Sequence, residues 1–502
     1  MKSLRTPLLI FGMLGFLVLL GLGITGRLPI SSSEQANIEA FQRQCQSCHL
    51  LPDPKSLSKS VWRQSVLPEM AARTGFSIDD YNPYKFSYQE NYHIKKANVY
   101  PPQPTVNLDE WEKVYHYILR IAPDTIEIPS RSGRNKELAQ FRPNYVSGSA
   151  AEEAAGVTCI SFQEKAFPLI GTFKGSILES DSSSSSRSFR SPVSSIAKGK
   201  DGRWLTEFGI MNPSENACGT LYLQEKGETS LILNDLHRPV YIHPEDLNDN
   251  GKEELLICEF GFHTGQLSLL TQTDTGYHKK SLLSLPGSIK VEVKDMNQDG
   301  KKDIVALFSQ AWEGVRIFYQ EEELKFRMEE VLKFGPGHGS SWFELVDFNQ
   351  DGHQDIVMVN GDNGDYSIRL KEFHGIRLFL NKGNNQFEEA WFYPIHGSTR
   401  VISKDFDQDG DLDFAVMSFF PDWKNSPEEG FVYLENQGTE DFSFTSYTHS
   451  LLAKHNWMVM EAGDIDEDGD EDIVLGAFDI LKQKGKANPG ESILILQNTL
   501  SQ

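Results

Sequence analysis

The sequence predicts a two-part fold: a small all-α domain followed by an all-β propeller of seven blades, with six as the alternative count. Three observations predict it. A Cys-x-x-Cys-His segment lies among helical periodicities near the N-terminus, and one acidic loop motif recurs five times at intervals of 49, 52, 58 and 59 residues. Each recurrence sits among short apolar runs of strand length. With 502 residues, 39% hydrophobic and 11% aromatic, the chain can fill more than one core.

The first element, residues 1–27, has Lys2 and Arg5 followed by an uncharged apolar run from Leu8 to Gly26 and then Arg27. A positive start before a stretch about long enough to cross a bilayer reads as an export segment. No small-x-small cleavage pattern follows and no lipidation cysteine is present. An uncleaved membrane anchor over residues 8–26 is therefore expected, with the body exported to the periplasmic side of the inner membrane. A cleaved signal peptide is the alternative, and it exports the body equally.

Residues 28–127 form the predicted helical domain. Cys45, Cys48 and His49 stand in "QCQSCH", two of only five cysteines in the chain. Two thiols at this spacing add to the two vinyl groups of a porphyrin, and the adjacent imidazole becomes the proximal iron ligand, so one covalent haem c is expected. On a single helical turn both sulfurs and the ring would share one side. A thioredoxin-like dithiol does not need His49, and zinc would need two further ligands. Met70, in "VWRQSVLPEMAARTG", is the candidate second axial ligand, ahead of His93, His116 or a five-coordinate iron. Met70 also fits the apolar face of its own helix. Asn107 caps a closing helix whose stripe is Trp111, Val114, Tyr115, Ile118 and Leu119, stopped by Pro123. The Tyr- and Pro-rich stretch between these helices reads as an irregular loop over a haem edge.

Residues 128–502 contain the repeats. The loops offer oxygen at positions 1, 3, 5 and 9 with glycine at position 6: Asp246, Asn248, Asn250 and Glu254 in the first, and Asp295, Asn297, Asp299 and Asp303 in the second. The third has Asp347, Asn349, Asp351 and Asp355, the fourth Asp405, Asp407, Asp409 and Asp413, and the fifth Asp464, Asp466, Asp468 and Asp472. Oxygen-only ligands on a tight turn suit Ca²⁺, with a backbone carbonyl expected at position 7. An EF-hand would need Glu at position 12, where this chain has Ile257, Ala306, Met358, Val416 and Leu475, so up to five Ca²⁺ loops are expected inside β-hairpins. Acidic groups increase from the first loop to the last, and affinity should follow. Each unit holds four apolar runs, the strand count of one blade. Two degenerate units precede the five, one keeping only Asp201-Gly202. The last unit lacks a fourth run, which "ELAQFRPNYV" could supply to close the ring.

The loops and the strands around them resemble FG-GAP (integrin-α-type, VCBS) repeats. The whole chain after the anchor resembles bacterial exported proteins that join a c-type cytochrome to such a propeller. The resemblance implies Ca²⁺ loops on one rim and ligand-binding loops on the other.

Nine residues before the first Asp of each loop stand His237, Pro286, His338, His396 and His455, four histidines of 13 in the chain. This register places them where the innermost strand begins, on the rim that also holds loops with Asp362, Asp365 and His374, and with Asp422 and Trp423. One reading is a substrate or redox-metal site at the axis, where imidazoles suit Fe, Cu or Zn. The other is a backbone hydrogen bond repeated at each blade junction.

A net charge of −23 excludes nucleic acid and anionic membrane surfaces as partners, and five Ca²⁺ would bring it to about −13. The three remaining cysteines do not suggest a disulfide framework, although a Cys159–Cys218 bridge is an option. The expected function is electron transfer by a membrane-anchored haem c protein whose propeller binds a redox partner protein or a substrate. The alternatives are a haem-coupled oxidoreductase with its site at the axis, and an adhesion-type module with accessory haem. No hydrolase or nucleotide motif stands out, and no donor, acceptor or substrate is named by the residues.

Overall fold

The computed structural model describes residues 31–47, 49–127, 134–146, 156–163, 167–179, 189–362, 369–438, 441–479 and 491–500. The predicted anchor and Cys48 lie outside them. No helix among the described residues is long and apolar enough to cross a membrane. The chain divides into two compact units, one from Met1–Tyr81 with Pro101–Thr125 and the other from Asn82–Tyr100 with Ile126–Gln502.

The first unit is helical. Ser31 caps the helix Ser32–Cys45 by accepting from the Glu34 amide at 3.2 Å. A second segment runs Lys59–Val61, through a π-turn at Trp62–Val66, into Leu67–Arg73. Asn107 accepts from the Glu110 amide at 2.8 Å to start the closing helix Leu108–Ile121. Its 3.6-residue periodicity buries Trp111, Val114, Ile118 and Leu119 against Ala40, Phe41, Trp62, Leu67 and Ala71.

The second unit is a seven-bladed propeller, with seven sheets among the described residues. Blade 1 holds Val157–Ser161, Leu169–Thr172 and Ile177–Leu178, and blade 2 holds Val193–Lys198, Arg203–Glu207, Gly219–Glu225 and Glu228–Leu236. Blades 3, 4 and 5 begin with Pro239–Glu245, Ser288–Lys294 and Ser340–Val346, each followed by three antiparallel strands. Blade 6 runs from Ser398–Lys404 to Phe444–Thr448, with Lys136–Glu137 added in parallel at its outer edge. Blade 7 has Trp457–Gly463, Asp472–Ala477 and Ile493–Asn498 from the C-terminal end, and the segment Phe141–Tyr145 completes it. That pairing, Phe141 opposite Asn498 through Tyr145 opposite Leu494, closes the ring and leaves the last blade no bare edge. Second strands are buried along their whole length, as in Asp355–Asn360, whereas outer strands alternate with solvent, as in Lys325–Lys333.

The first strands of successive blades pack against one another around the axis. Their axial side chains close it with charge and aromatic surface. Lys290 Nζ lies 4.3 Å and the Arg400 guanidinium 3.9 Å from the centre of the Trp342 ring, and Tyr241 meets that ring edge-on at 5.8 Å. Lys290 also donates to the Phe343 carbonyl at 2.5 Å and pairs with Glu292 at 2.8 Å, while Arg400 pairs with Glu461. Below this stopper lie His243 and Glu344, the latter accepting from the Ser403 amide at 2.7 Å.

Burial pushes the Glu344 carboxyl up to about 7, with Lys290 pulling it down and Glu292 pushing it further up. A folded-state value above the unfolded one means that the fold favours the protonated acid, so stability falls as pH rises from about 4.5 to 7. Glu344→Gln should remove this term. Between pH 5 and 8, chemical denaturation is expected to show the variant gaining about 1–3 kcal/mol on the wild type, and an unchanged difference would refute the assignment.

Two sequence expectations are corrected. The stretch read as an irregular loop contains the helix Tyr88–Lys96, started by a capping box in which Ser87 and Glu90 exchange hydrogen bonds. This stretch packs in the propeller unit: Glu90 accepts from Ser214 Oγ at 2.7 Å and from the Glu215 amide at 3.2 Å, and Phe86 meets Phe262 and His263 edge-on. Cys159 and Cys218 form no bridge: Cys159 is buried between blades 1 and 2, and Cys218 is exposed.

Candidate functional site

All five acidic loops join the first strand of a blade to its second, in blades 3 to 7, and all share one backbone path. Position 4 (Asp249, Gln298, Gln350, Gln408, Glu467) and the glycine at position 6 have positive φ, the latter +84° to +97°. The first Asp accepts with both oxygens. In blade 6, Asp405 takes the Asp409 and Gly410 amides at 3.0 Å each, and Asp246, Asp295, Asp347 and Asp464 repeat the pattern. The acid at position 9 is buried and ties the loop to the blade. Asp413 accepts from the Phe406 amide at 3.1 Å and from the Asn436 amide of the third strand at 2.8 Å; Asp303, Asp355 and Asp472 do the same with Gln320, Asn381 and Asn498. Glu254 takes the Leu247 amide at 3.0 Å.

The loops differ in charge. In blades 6 and 7, oxygens of Asp405, Asp407 and Asp413, and of Asp464, Asp466 and Asp472, lie within 4.8 Å of one another. Burial first, then neighbouring carboxylates, push Asp413 up to about 7 and Asp472 up to about 6. Such oxygen clusters can hold a hard divalent cation, whose charge would offset both effects. The blade 3 loop is instead served by lysines: Lys302 Nζ donates to the Asp246 carbonyl at 2.8 Å and pairs with Glu245 and Asp249, and Lys200 Nζ donates to the Gly251 carbonyl at 2.8 Å.

Two features of the rim escaped the four-position reading. The first is a fifth acid at position 7, Asp411 and Asp470, spelled out by "DGDLD" and "DGDED". The second is a side-chain amide at or near the end of the third strand in blades 4 to 7 (Gln320, Asn381, Asn436 and Asn498). Gln320 donates to the Leu247 carbonyl of the preceding loop at 2.8 Å, and Asn498 donates to the Phe406 carbonyl at 2.8 Å. Gln350 and Gln408, at position 4, reach the Gly410 and Gly469 carbonyls of the next loop. The sequence signal was a polar amide closing "LFLN", "YLEN" and "LILQN".

In the helical unit, Cys45 is the last helical residue and Gln46 its cap. His49 therefore lies in a bend beyond the helix, which corrects the expectation of a single helical turn carrying both sulfurs and the ring; Pro52 disfavours continued helix there. Cys45 and Met70 pack, partly buried, against the same apolar cluster. His49 Nδ1 lies 2.8 Å from the Leu50 carbonyl; since a carbonyl only accepts, that nitrogen carries the proton. His116 is exposed on the outer face of its helix, and His93 belongs to the propeller unit.

The four registered histidines all begin a first strand, at the end opposite the acidic loops. His237, His338 and His455 are each tied at their own blade junction, and among the described residues the four imidazoles share no cluster of three His, Cys, Asp or Glu ligand atoms. His237 Nε2 lies 3.2 Å from the Ser214 carbonyl and Nδ1 3.3 Å from Thr264 Oγ1. His338 Nδ1 lies 2.9 Å from the Gly335 carbonyl, its ring against Phe373, and burial pushes it down to about 4. His396 and His374 are buried, and His455 pairs with Asp479. Asp422 caps its own turn through the Lys424 amide at 3.1 Å, Trp423 is partly exposed, and Asp365 lies outside the described residues.

A family model described as FG-GAP-like repeat matches residues 295–358, 347–416 and 405–475. FG-GAP-like repeats thus span blade 4 to the middle of blade 7. No curated protein matches the chain significantly. Among solved structures, a chain from a complex of S. cerevisiae Dbp5 with Nup159, Gle1, IP6 and ADP aligns with 12% identity and a TM-score of 0.38, over 72% of this chain and 96% of that one.

Proposed function

We propose that this protein is an exported binding module, an FG-GAP-like propeller braced by up to five Ca²⁺, to which a haem c unit is joined for electron transfer with a partner protein. The propeller with its repeats supports the binding role. The observation that carries the redox role is the Cys45-x-x-Cys48-His49 segment, with Cys45 and Met70 on one apolar cluster.

The residues fit the group. Cys45 and Cys48 would hold the porphyrin covalently, and His49 and Met70 would bind its iron. Haem bound there supplies one-electron chemistry. The Leu50 carbonyl keeps the proton on His49 Nδ1, and Phe41, Trp62, Leu67 and Trp111 offer a water-poor surround. An oxidoreductase reading, with His237, His338, His396 and His455 sharing a metal or substrate, finds no common ligand geometry among the described residues.

Expression with a c-type maturation system is expected to give one covalent haem per chain, seen as a haem-stained band on denaturing gels. Cys45→Ser or Cys48→Ser should each reduce that stain at least 10-fold. A wild-type protein that takes up no covalent haem would sink the redox role while leaving the propeller reading intact.

A further inference from the structure

At the end of blade 7 opposite its acidic loop, each of the four strands contributes one polar residue to a single spot. His455 precedes the first strand, Asp479 follows the second, Glu491 precedes the third, and Tyr145 ends the closing strand. His455 is 4% exposed, and its Nδ1 lies 2.5 Å from Asp479 Oδ2, which fixes the ring. The other nitrogen, Nε2, is buried with no hydrogen-bond partner and lies 3.7 Å from Glu491 Oε2. That gap is too long for a hydrogen bond and suits two donors sharing a third atom. Tyr145 lies beside them, its ring 6.0 Å from that of His455, and its hydroxyl too is buried with no partner.

Blade 4 saturates the acid that precedes its third strand, since Glu313 accepts from the Gly337, Gly339 and Ser340 amides at 2.8–3.1 Å. In blade 6 Glu429 is held through Oε1, which accepts from Arg134 Nε at 2.8 Å and Asn135 Nδ2 at 3.0 Å. Glu491 has Lys454 Nζ only at 4.0 Å. Buried donors and acceptors are almost always satisfied, so the orphan His455 Nε2 facing a loosely tied carboxylate, with a second orphan atom on the neighbouring Tyr145, points to an occupant.

We propose that this spot binds a divalent first-row transition-metal ion through His455 Nε2, Glu491 and Tyr145, with Asp479 as the positioning residue. A carboxylate behind a ligating imidazole is the usual support of such ions, and N/O donors suit Zn²⁺. Three protein ligands would leave a coordination position for water. Burial, Glu491 and Asp479 hold the Tyr145 phenol up at about 12, and a bound cation would act in the opposite direction, releasing its proton on binding. Because Tyr145 belongs to the closing strand, the ion would fasten the ring shut. This site is independent of both the haem and the Ca²⁺ loops.

The test is Zn²⁺ binding to the purified full chain, by calorimetric titration in saturating Ca²⁺, together with thermal melts. One Zn²⁺ per chain is expected to bind and to raise the melting midpoint. His455→Ala should weaken binding at least 30-fold, Asp479→Asn by about 10–100-fold, and Tyr145→Phe, which deletes one oxygen, should weaken it and abolish the Zn²⁺-induced shift. If His455→Ala does not fold, Tyr145→Phe decides. No Zn²⁺ bound, or binding undiminished in these variants, means that only water satisfies these atoms and overturns the proposal.

Discussion

Removing Ca²⁺ with a chelator is expected to lower the thermal midpoint of the propeller by about 6 °C or more. The loops of blades 6 and 7 should dominate. The blade 6 loop packs five acids into nine residues and the blade 7 loop packs seven, with Asp413 and Asp472 held out of their ordinary range by burial and by like charges. A cation that binds the folded loop at 100 times its dissociation constant stabilises the fold by about 2.7 kcal/mol, so two such loops contribute about 5 kcal/mol. At about 2.1 cal/mol/K of unfolding entropy per residue, about 1.3 °C accompanies each kcal/mol in a domain of this size. Asp413→Asn and Asp472→Asn should each remove a large part of the shift. Changes at Asp246 should remove little, because Lys302 and Lys200 already bring positive charge to the blade 3 loop. Calorimetry with and without Ca²⁺ checks this, and superimposable melts would count decisively against calcium loops.

The second large effect is expected at Phe141. Its side chain is 1% exposed and meets Phe406 at 5.8 Å and Tyr433 at 5.3 Å, both edge-on, across the junction of blades 6 and 7. Phe141→Ala removes that packing and weakens the one strand that joins the N-terminal part of the propeller to its last blade. Truncation of a buried aromatic costs about 3–5 kcal/mol. Denaturant titration should register a loss of that size with protein concentration held low, because an opened blade exposes an edge prone to pairing with other chains. A cost below about 1 kcal/mol would mean that the ring holds without this strand.

Much of this architecture was legible because its causes are local. Strict repetition of the loop fixes the hairpin, and the bare edge left by "SILILQN" requires a partner that "FRPNY" supplies. Asn107 and the stripe from Trp111 to Leu119 declare a helix in one turn of reading. Other features depend on partners far along the chain. The Ser87–Glu90 capping box was readable but was obscured by the surrounding Tyr and Pro residues, and nothing local says that Glu90 would meet Ser214 and Glu215. The axial stack of Tyr241, Lys290, Trp342 and Arg400 draws one residue from each of four blades, so no single repeat spells it. The registered histidines showed their shared position in sequence, but whether imidazoles converge depends on the ring's radius, which periodicity does not encode.

The helix Tyr88–Lys96 bears on how separable the parts are. Residues 82–100 belong with the propeller, yet they interrupt the helical unit, so the polypeptide passes between the two units three times, after residues 81, 100 and 125. A single cut near residue 128 would not yield two self-sufficient pieces. The propeller so released would lose the carboxylate that Ser214 and the Glu215 amide share. Shuffling of the helical unit as an independent cassette is blocked in the same way, and the two parts are expected to be inherited together.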